Sequence, residues 1–485
     1  MDLLKSLYSP FLRKRRSTKK QQPKIFQLNN HCFDEIFEYL SVKDLYSFGQ
    51  TCRRMNKVAG EYFKRNYLSA TKYYGENGME IRHYSVYYPN VWRYRTGTNG
   101  FNNFMPFVTF YDEKKLKKYL KSQIKANAFE STNHIRLTRW HPINDKKVKC
   151  LVKLLPQLNI LHIRRCSVDG DLYDLILKHC KNNLKEFYFH CSHNIRAIGN
   201  FNWLLYEYPK LECLYLIYEV SCEILRIEEL HEFFVCNPYL QRFATREKFF
   251  LDNSDIFLSS NAKLDLLLIY GIFTTNLIRL LKLLNQLHEQ GFYRRLYIHK
   301  MGCDFEFGAY NEFLASVKGL EILHFSVFKK SVNLVQLTNL REIIIRYGSR
   351  DMDEKDLEIL ANSLTRLNRL WINGDGFMNI DVIRPFIRRS LNLNKIKFVH
   401  NNPKFLNLAL LNEERAKLVG AQKITLYVRD DVFLHTKWTT RNGDTNMSFI
   451  EVRRLDSIYW NHSGYNPKVT YDDMANKSTN RPEIR

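Results

Sequence analysis

Leu320-Glu321-Ile322-Leu323-His324-Phe325, Leu340-Arg341-Glu342-Ile343-Ile344-Ile345 and Leu367-Asn368-Arg369-Leu370-Trp371-Ile372 are three copies of one pattern, apolar at the first, fourth and sixth positions. The pattern recurs at Leu158/Leu161/Ile163, Leu184/Phe187/Phe189, Leu211/Leu214/Leu216, Leu240/Phe243/Thr245, Leu264/Leu267/Ile269, Tyr293/Leu296/Ile298, Leu393/Ile396/Phe398 and, more weakly, Ala421/Ile424/Leu426. An earlier copy at Ile135 and Leu137 keeps the phase. Successive starts lie 20 to 29 residues apart. The fourth and sixth positions fall on one side of an extended chain, so each copy reads as a strand with one buried face. Between copies lie stretches with helical spacing, such as Val148, Leu151, Val152 and Leu155, or Leu277, Leu280, Leu281, Leu284 and Leu287. Neither a single strand nor a single helix can bury its apolar side alone, so the units must stack side by side.

This period and form resemble the leucine-rich repeat. The resemblance implies an α/β solenoid, a horseshoe with strands on the concave face and helices on the convex one. About 11 to 12 repeats would occupy residues 131–430. In the family a cysteine or asparagine just after the strand satisfies backbone in the turn, and Cys166 and Asn401 stand there. Ser192, Phe328 and Gly348 occupy the equivalent place elsewhere, so the repeats are divergent.

A second pattern precedes the repeats. Phe33, Ile36, Phe37 and Leu40 are spaced i, i+3, i+4 and i+7, which puts them on one face of a short helix. Ser41 with Asp44 three residues later has the form of a capping box, so a second helix should start there and turn Leu45 and Phe48 inward. Cys52, Met55 and Ala59 make one face of a third helix. Three helices of this size bury little alone, and their apolar excess requires a partner surface.

Leu28-Asn29, Ile36-Phe37, Tyr39-Leu40, Asp44-Leu45 and Cys52-Arg53-Arg54 resemble the F-box at that family's spacing. Asn29 stands where the family usually has proline, His31 where it often has glutamate, and Met55 where it often has tryptophan. The resemblance implies a substrate-recognition subunit of a ubiquitin ligase. The F-box would dock on a Skp-type adaptor, and through it on a cullin scaffold. Leu28, Phe33, Ile36, Phe37, Leu40, Leu45 and Met55 are the residues it assigns to the helix core and the adaptor surface.

The chain divides on this reading into a basic flexible tail (1–25), the F-box (26–67), a bridge and N-terminal cap (68–130), the repeats (131–430), a C-terminal cap (431–460) and a polar tail (461–485). Leu116, Tyr119, Leu120 and Ile124 predict one helix in the bridge. Arg13 to Lys20 reads as a nuclear import signal or a polyanion-binding arm. No secretory signal or bilayer-length apolar run is legible, which points to an intracellular protein, cytoplasmic or nuclear and without a membrane partner. The scattered cysteines contain no C-x-x-C pair and read as reduced thiols.

No phosphate-binding glycine loop or zinc-protease motif occurs, so the expected protein is not an enzyme and carries no cofactor. His162, Cys166, His179, Cys180, His190, Cys191 and His193 are the best candidates for a metal site, and ordinary packing explains them better than a metal does.

Strand phase also names the side chains that point away from the core. Arg136, His162, Tyr188, Tyr215, Arg295, Tyr297, Arg346, Arg369, Trp371 and Lys397 are the candidates for holding a target. The same face carries Arg164, His190, Lys395 and other cations against only Glu186 and Glu342, and the chain as a whole is at +24. An acidic or phosphorylated target protein would suit such a face. Two other readings stay open: a solenoid that binds nucleic acid through this basic, aromatic face, and an F-box scaffold that degrades nothing. On the core side, Leu323 and Leu370 should be sensitive to truncation. Their neighbours His324 and Trp371, facing the groove, should tolerate it.

Overall fold

The structure is a computed structural model that describes residues 24–68, 71–75, 78–82, 94–95, 101–104, 107–110, 132–138, 148–149, 151–164, 166, 170–191, 201–218, 227–272, 276–299, 307–327, 336–347, 354–374, 380–399 and 406–455. The basic run Arg13 to Lys20, the bridge helix around Leu116, Asn401, His193 and the polar tail from 461 lie outside these residues. So do Ser192, Phe328 and Gly348.

Three helices open the described chain: α1 (Asn30–Glu38), α2 (Val42–Gly49) and α3 (Arg53–Asn66). Asn29 is the N-cap of α1, its side chain accepting from Cys32 N at 2.9 Å. An acceptor at this place satisfies one of the orphan amides of the first turn. Ser41 caps α2 by accepting from Asp44 N, and its hydroxyl in turn donates to the Asp44 carboxylate at 2.6 Å. Phe33, Phe37, Leu45, Met55, Ala59 and Phe63 form the interior of the three-helix unit. Phe37 meets the edges of Phe48 and Tyr62 at 5.3 Å each.

Seventeen described strands form one sheet. Starting with Phe107–Phe110, each strand pairs parallel with the next one in sequence: His134–Thr138, Ile160–Arg164, Glu186–Cys191, Cys213–Tyr218, Arg242–Arg246, Leu264–Tyr270, Tyr293–His299, Leu320–Val327, Glu342–Tyr347, Arg369–Gly374, Lys395–Val399, Ile424–Val428 and Ile450–Arg454. Thr71–Gly75 adds a further parallel strand beside Phe107–Phe110. Gly78–Arg82 and Tyr94–Arg95 complete that end antiparallel. The ladder therefore continues past the twelve copies of the pattern at both ends, into 71–110 and to Ile450–Arg454.

Register is set by the apolar row. Ile298, Leu323, Ile343, Leu370, Ile396, Leu426 and Val452 are successive neighbours across the sheet, all buried. Between Tyr293–His299 and Leu320–Val327 the pairing shifts, so that the sixth motif position Ile298 meets the fourth position Leu323. Beyond this one-residue bulge the two strands are offset by two motif positions, which leaves Ile298 and Leu323 together on the core face. Helices such as Leu277–Glu289, Phe307–Ser316 and Glu354–Ser363 connect the strands and share one continuous core with them. Leu280, Leu283, Leu284 and Leu287 are the buried face of the first of these.

Small polar groups tie one repeat to the next. Cys166 Sγ donates to Arg164 O at 3.3 Å and to Leu137 O of the preceding repeat at 3.7 Å. Asn237 donates to Phe233 O and Tyr206 O and accepts from Tyr208 N, bridging two units. Asn253 does the same between Phe249 O and Ile227 N. Each closes buried backbone groups that would otherwise be costly.

The two sides of the sheet differ less than strand phase implies. Leu323 and Leu370 are fully buried, but Trp371 is only 2% exposed and His324 is buried as well. The expectation that these two positions tolerate substitution is therefore corrected. Trp371 carries the Lys397 ammonium 3.7 Å from its ring centre and belongs to a second apolar cluster on the face opposite the main core. Leu370→Ala and Trp371→Ala should each destabilise the array, by about 2 to 5 kcal/mol, in denaturant melts of the full chain. A Trp371 loss below 1 kcal/mol would return that side to the status of a solvent-lined groove.

Candidate protein-binding surfaces

The three-helix unit presents two kinds of apolar residue. Phe33, Phe37, Leu45 and Met55 are wholly enclosed and hold the helices together. Leu28, Ile36 and Leu40 are half-buried, as are Tyr46, Phe48 and Val58. Of the seven residues read as a core-plus-adaptor set, only Leu28, Ile36 and Leu40 thus reach a surface. Arg54 fixes the segment leading into α1 by donating to Leu28 O at 2.7 Å, and Arg65 forks onto Asp34 at 2.7 and 2.8 Å.

The face opposite the main core is layered. Arg136, His162, Tyr188 and Tyr215 occupy one continuous row across four strands, and all are buried. Their neighbourhood is a ring stack: His134 on His162 at 4.7 Å, His162 on Tyr188 at 4.0 Å, and Tyr188 on Tyr215 at 4.5 Å. Further along, Tyr270 stacks on His299 at 4.3 Å, and Tyr297 is fully enclosed. Glu186 accepts from Tyr188 and pairs with Arg242 at 3.0 Å.

Burial, then the charges of Arg136 and Arg164 with His134 alongside, holds the His162 imidazole well below its ordinary value. Below about pH 6.5 the unfolded chain takes up a proton here that the folded chain refuses, so stability falls as pH is lowered. The slope is at most about 1.4 kcal/mol per pH unit for one group. Denaturant melts at pH 7.5 and 5.5 should show this loss, and His162→Phe, which keeps the ring stack, should lose less. Identical pH dependence in the two proteins would remove His162 from the account.

The cations nearer the strand starts are only half-buried. Arg295 pairs with Asp265, which also holds Arg294, and Arg369 lies 3.7 Å from Glu342. Burial lowers Arg369 and Lys395; Arg295 adds to the first, and Arg369 and Arg453 add to the second. Arg369 thus feels the charge of Arg295, and Lys395 those of Arg369 and Arg453, while Arg453 itself is exposed and paired with Glu451 at 2.6 Å. Lys397 is buried against Trp371, and the Arg346 side chain lies outside the described residues.

Among the described residues no group of three or more histidine, cysteine, aspartate or glutamate side chains is placed to hold a metal. Cys180 donates to its own helix at Ile176 O, and burial pushes its thiol up to about 12. Described cysteines are all free thiols. No helix among the described residues is long and apolar enough to cross a membrane.

The geometry defines a small helical docking module joined to a long parallel β/α repeat array. Residues 25–64 match the F-box domain family, so the module is an F-box, a non-catalytic unit that binds an adaptor. No curated protein matches the chain. Among solved structures, the crystal structure of the TLR13–ssRNA13 complex is similar over 66% of this chain, at 14% identity and a TM-score of 0.34. The match spans 45% of that chain, and a likeness at this score carries no argument.

Proposed function

We propose that this protein is the substrate-recognition subunit of a ubiquitin ligase of the Skp-adaptor, cullin and F-box type. The F-box docks the adaptor, the repeat array curves as a leucine-rich-repeat horseshoe and captures a target, and cullin-bound machinery transfers ubiquitin to it. The single observation that carries this is the F-box itself, folded with its apolar interior complete and Leu28, Ile36 and Leu40 left half-buried. Catalysis on this reading is positioning: two partners held on one body meet at a high effective concentration.

The target side follows from electrostatics. Arg369 and Lys395 carry partly desolvated charges, with Arg295 near the first and Arg453 near the second. An acidic or phosphorylated segment would relieve that repulsion through charge-assisted hydrogen bonds. The nucleic-acid reading asks for rings open to stack on bases. Tyr188, Tyr215, Tyr297 and Trp371 are enclosed instead, which favours a protein target.

Titrating a purified Skp-type adaptor into the full chain tests the adaptor half. A one-to-one complex is expected, and the absence of measurable binding would sink the reading.

A further inference from the structure

The F-box does not hang on a linker. Arg454, in the last described strand, is 2% exposed, and its guanidinium donates to Glu38 O at 2.9 Å, Leu40 O at 3.1 Å and Phe37 O at 3.5 Å. These carbonyls lie at and just past the end of α1, where a cation also meets the negative end of the helix dipole. The same group forms an ion pair with Asp430 and donates to the Tyr67 hydroxyl at 2.8 Å, while Tyr67 donates to Asp430 at 3.1 Å. Its flat face lies 4.5 Å from the Phe433 ring centre.

A second set of contacts flanks this pin. Lys437, in the helix Asp430–Thr439, pairs with Glu38 at 2.5 Å and lies 5.0 Å from the Tyr39 ring centre. Trp438 meets Tyr39 edge-on at 5.2 Å. Tyr39 donates to Asn442 O at 3.4 Å, and a Cβ on Gly443, which sits at φ +66°, would collide with the Tyr39 hydroxyl. The contact thus joins segments nearly four hundred residues apart in sequence and includes a buried charge network.

This contact constrains the sheet. A flat ladder of all the parallel strands from Thr71–Gly75 to Ile450–Arg454, at about 4.8 Å per strand, would separate its ends by roughly 65 to 70 Å. Yet Tyr67, which touches Arg454, precedes Thr71 by a few residues, at most about 14 Å of chain.

We propose that the F-box is an intramolecular clasp: by docking onto the last repeat it closes the array into a ring, and α1 and residues 430–454 fold and open as one unit. The clasp stands independently of the adaptor reading. If that reading holds, the adaptor is positioned relative to the groove by a rigid joint, and its binding is coupled to the far end of the array.

Hydrogen exchange of the full chain tests this, with the partly exposed Glu38–Lys437 pair as the lever, because Arg454→Met risks unfolding the junction outright. Glu38→Lys and Lys437→Glu should each raise amide exchange in residues 33–40 and 450–454 together, by about tenfold, and the double exchange should return both to wild-type rates. A rise confined to one segment, no rise in either, or no restoration in the double variant overturns the clasp. Adding the Skp-type adaptor to wild type should slow exchange in 450–454 as well as in α1. Protection of α1 alone would refute the coupling, whereas an adaptor that does not bind would count against the proposed function and leave the clasp decided by the variants.

Discussion

Arg415→Leu is expected to unfold the C-terminal repeats at a denaturant concentration where the wild type is intact. Arg415 is fully enclosed, and every acceptor it reaches is a backbone carbonyl: Ile387 O at 3.0 Å, Ser390 O at 2.8 Å, Leu391 O and Leu393 O at 3.0 Å each, and Gln422 O at 3.1 and 3.0 Å. These carbonyls end the helix Arg384–Arg389, lead into the strand Lys395–Val399 and precede the strand Ile424–Val428. One planar fork thus closes the turns of two adjacent repeats. Burial lowers its pKa to about 10, which leaves it charged at neutral pH.

Leucine would fill part of the volume and leave the carbonyls without a donor, at a cost on the order of 5 kcal/mol in all. Arg415→Lys should rescue little, because a lysine offers three donors on a point charge where a wide fork is needed. Arg384→Leu, on the same patch but in a pair with the buried Glu414 carboxylate that Arg388 goes on serving, should cost less, about 1 to 2 kcal/mol. Urea melts of the three variants decide the matter, and equal losses at positions 384 and 415 would contradict it.

Ile36→Asp together with Leu40→Asp should abolish adaptor binding, a loss of at least about a hundredfold. Both side chains are half-buried on the F-box, so an adaptor that covers them would enclose two unpaired carboxylates. Phe33 and Phe37 themselves are retained, Ile36 and Leu40 packing against them from the rim, and Arg454 contacts Leu40 through its carbonyl rather than its side chain. The melt of the repeats should therefore stay near that of the wild type. Calorimetry with purified Skp-type adaptor provides the comparison, and wild-type affinity in the double variant would move the docking face elsewhere.

Much of the fold is local and was legible for that reason. Each strand announces itself through a short pattern whose fourth and sixth residues share a face, and Leu323, Ile343 and Leu370 are adjacent in the core as that phase requires. The Ser41–Asp44 cap is likewise a relation over three residues, and it is present. What strand phase cannot tell is what lies against the other face. Trp371 and Tyr297 point away from the main core as expected but are enclosed all the same, in a second apolar layer built from neighbouring strands. A wholly exposed groove was therefore the wrong picture for these positions.

The Leu320–Val327 register shift left no mark on the repeat spacing, because beyond the bulge an offset of two motif positions keeps Ile298 and Leu323 on one face. Long-range charge chemistry was invisible for a different reason. Tyr67, Asp430 and Arg454 belong to no motif, and nothing near Arg454 in sequence says that its acceptors lie at the end of α1. Against the F-box pattern Asn29 is only a departure, yet as an N-cap it performs a definite task.

Affinity purification of the full chain from cells, beside the Ile36→Asp/Leu40→Asp variant, tests the central claim most directly, since both surfaces are read in one measurement. The account predicts that a Skp-type adaptor and a cullin accompany the wild type and vanish from the variant, while the captured target is retained or enriched because it is no longer ubiquitinated and degraded. A wild-type sample without adaptor or cullin, or a variant that still carries both, would contradict it.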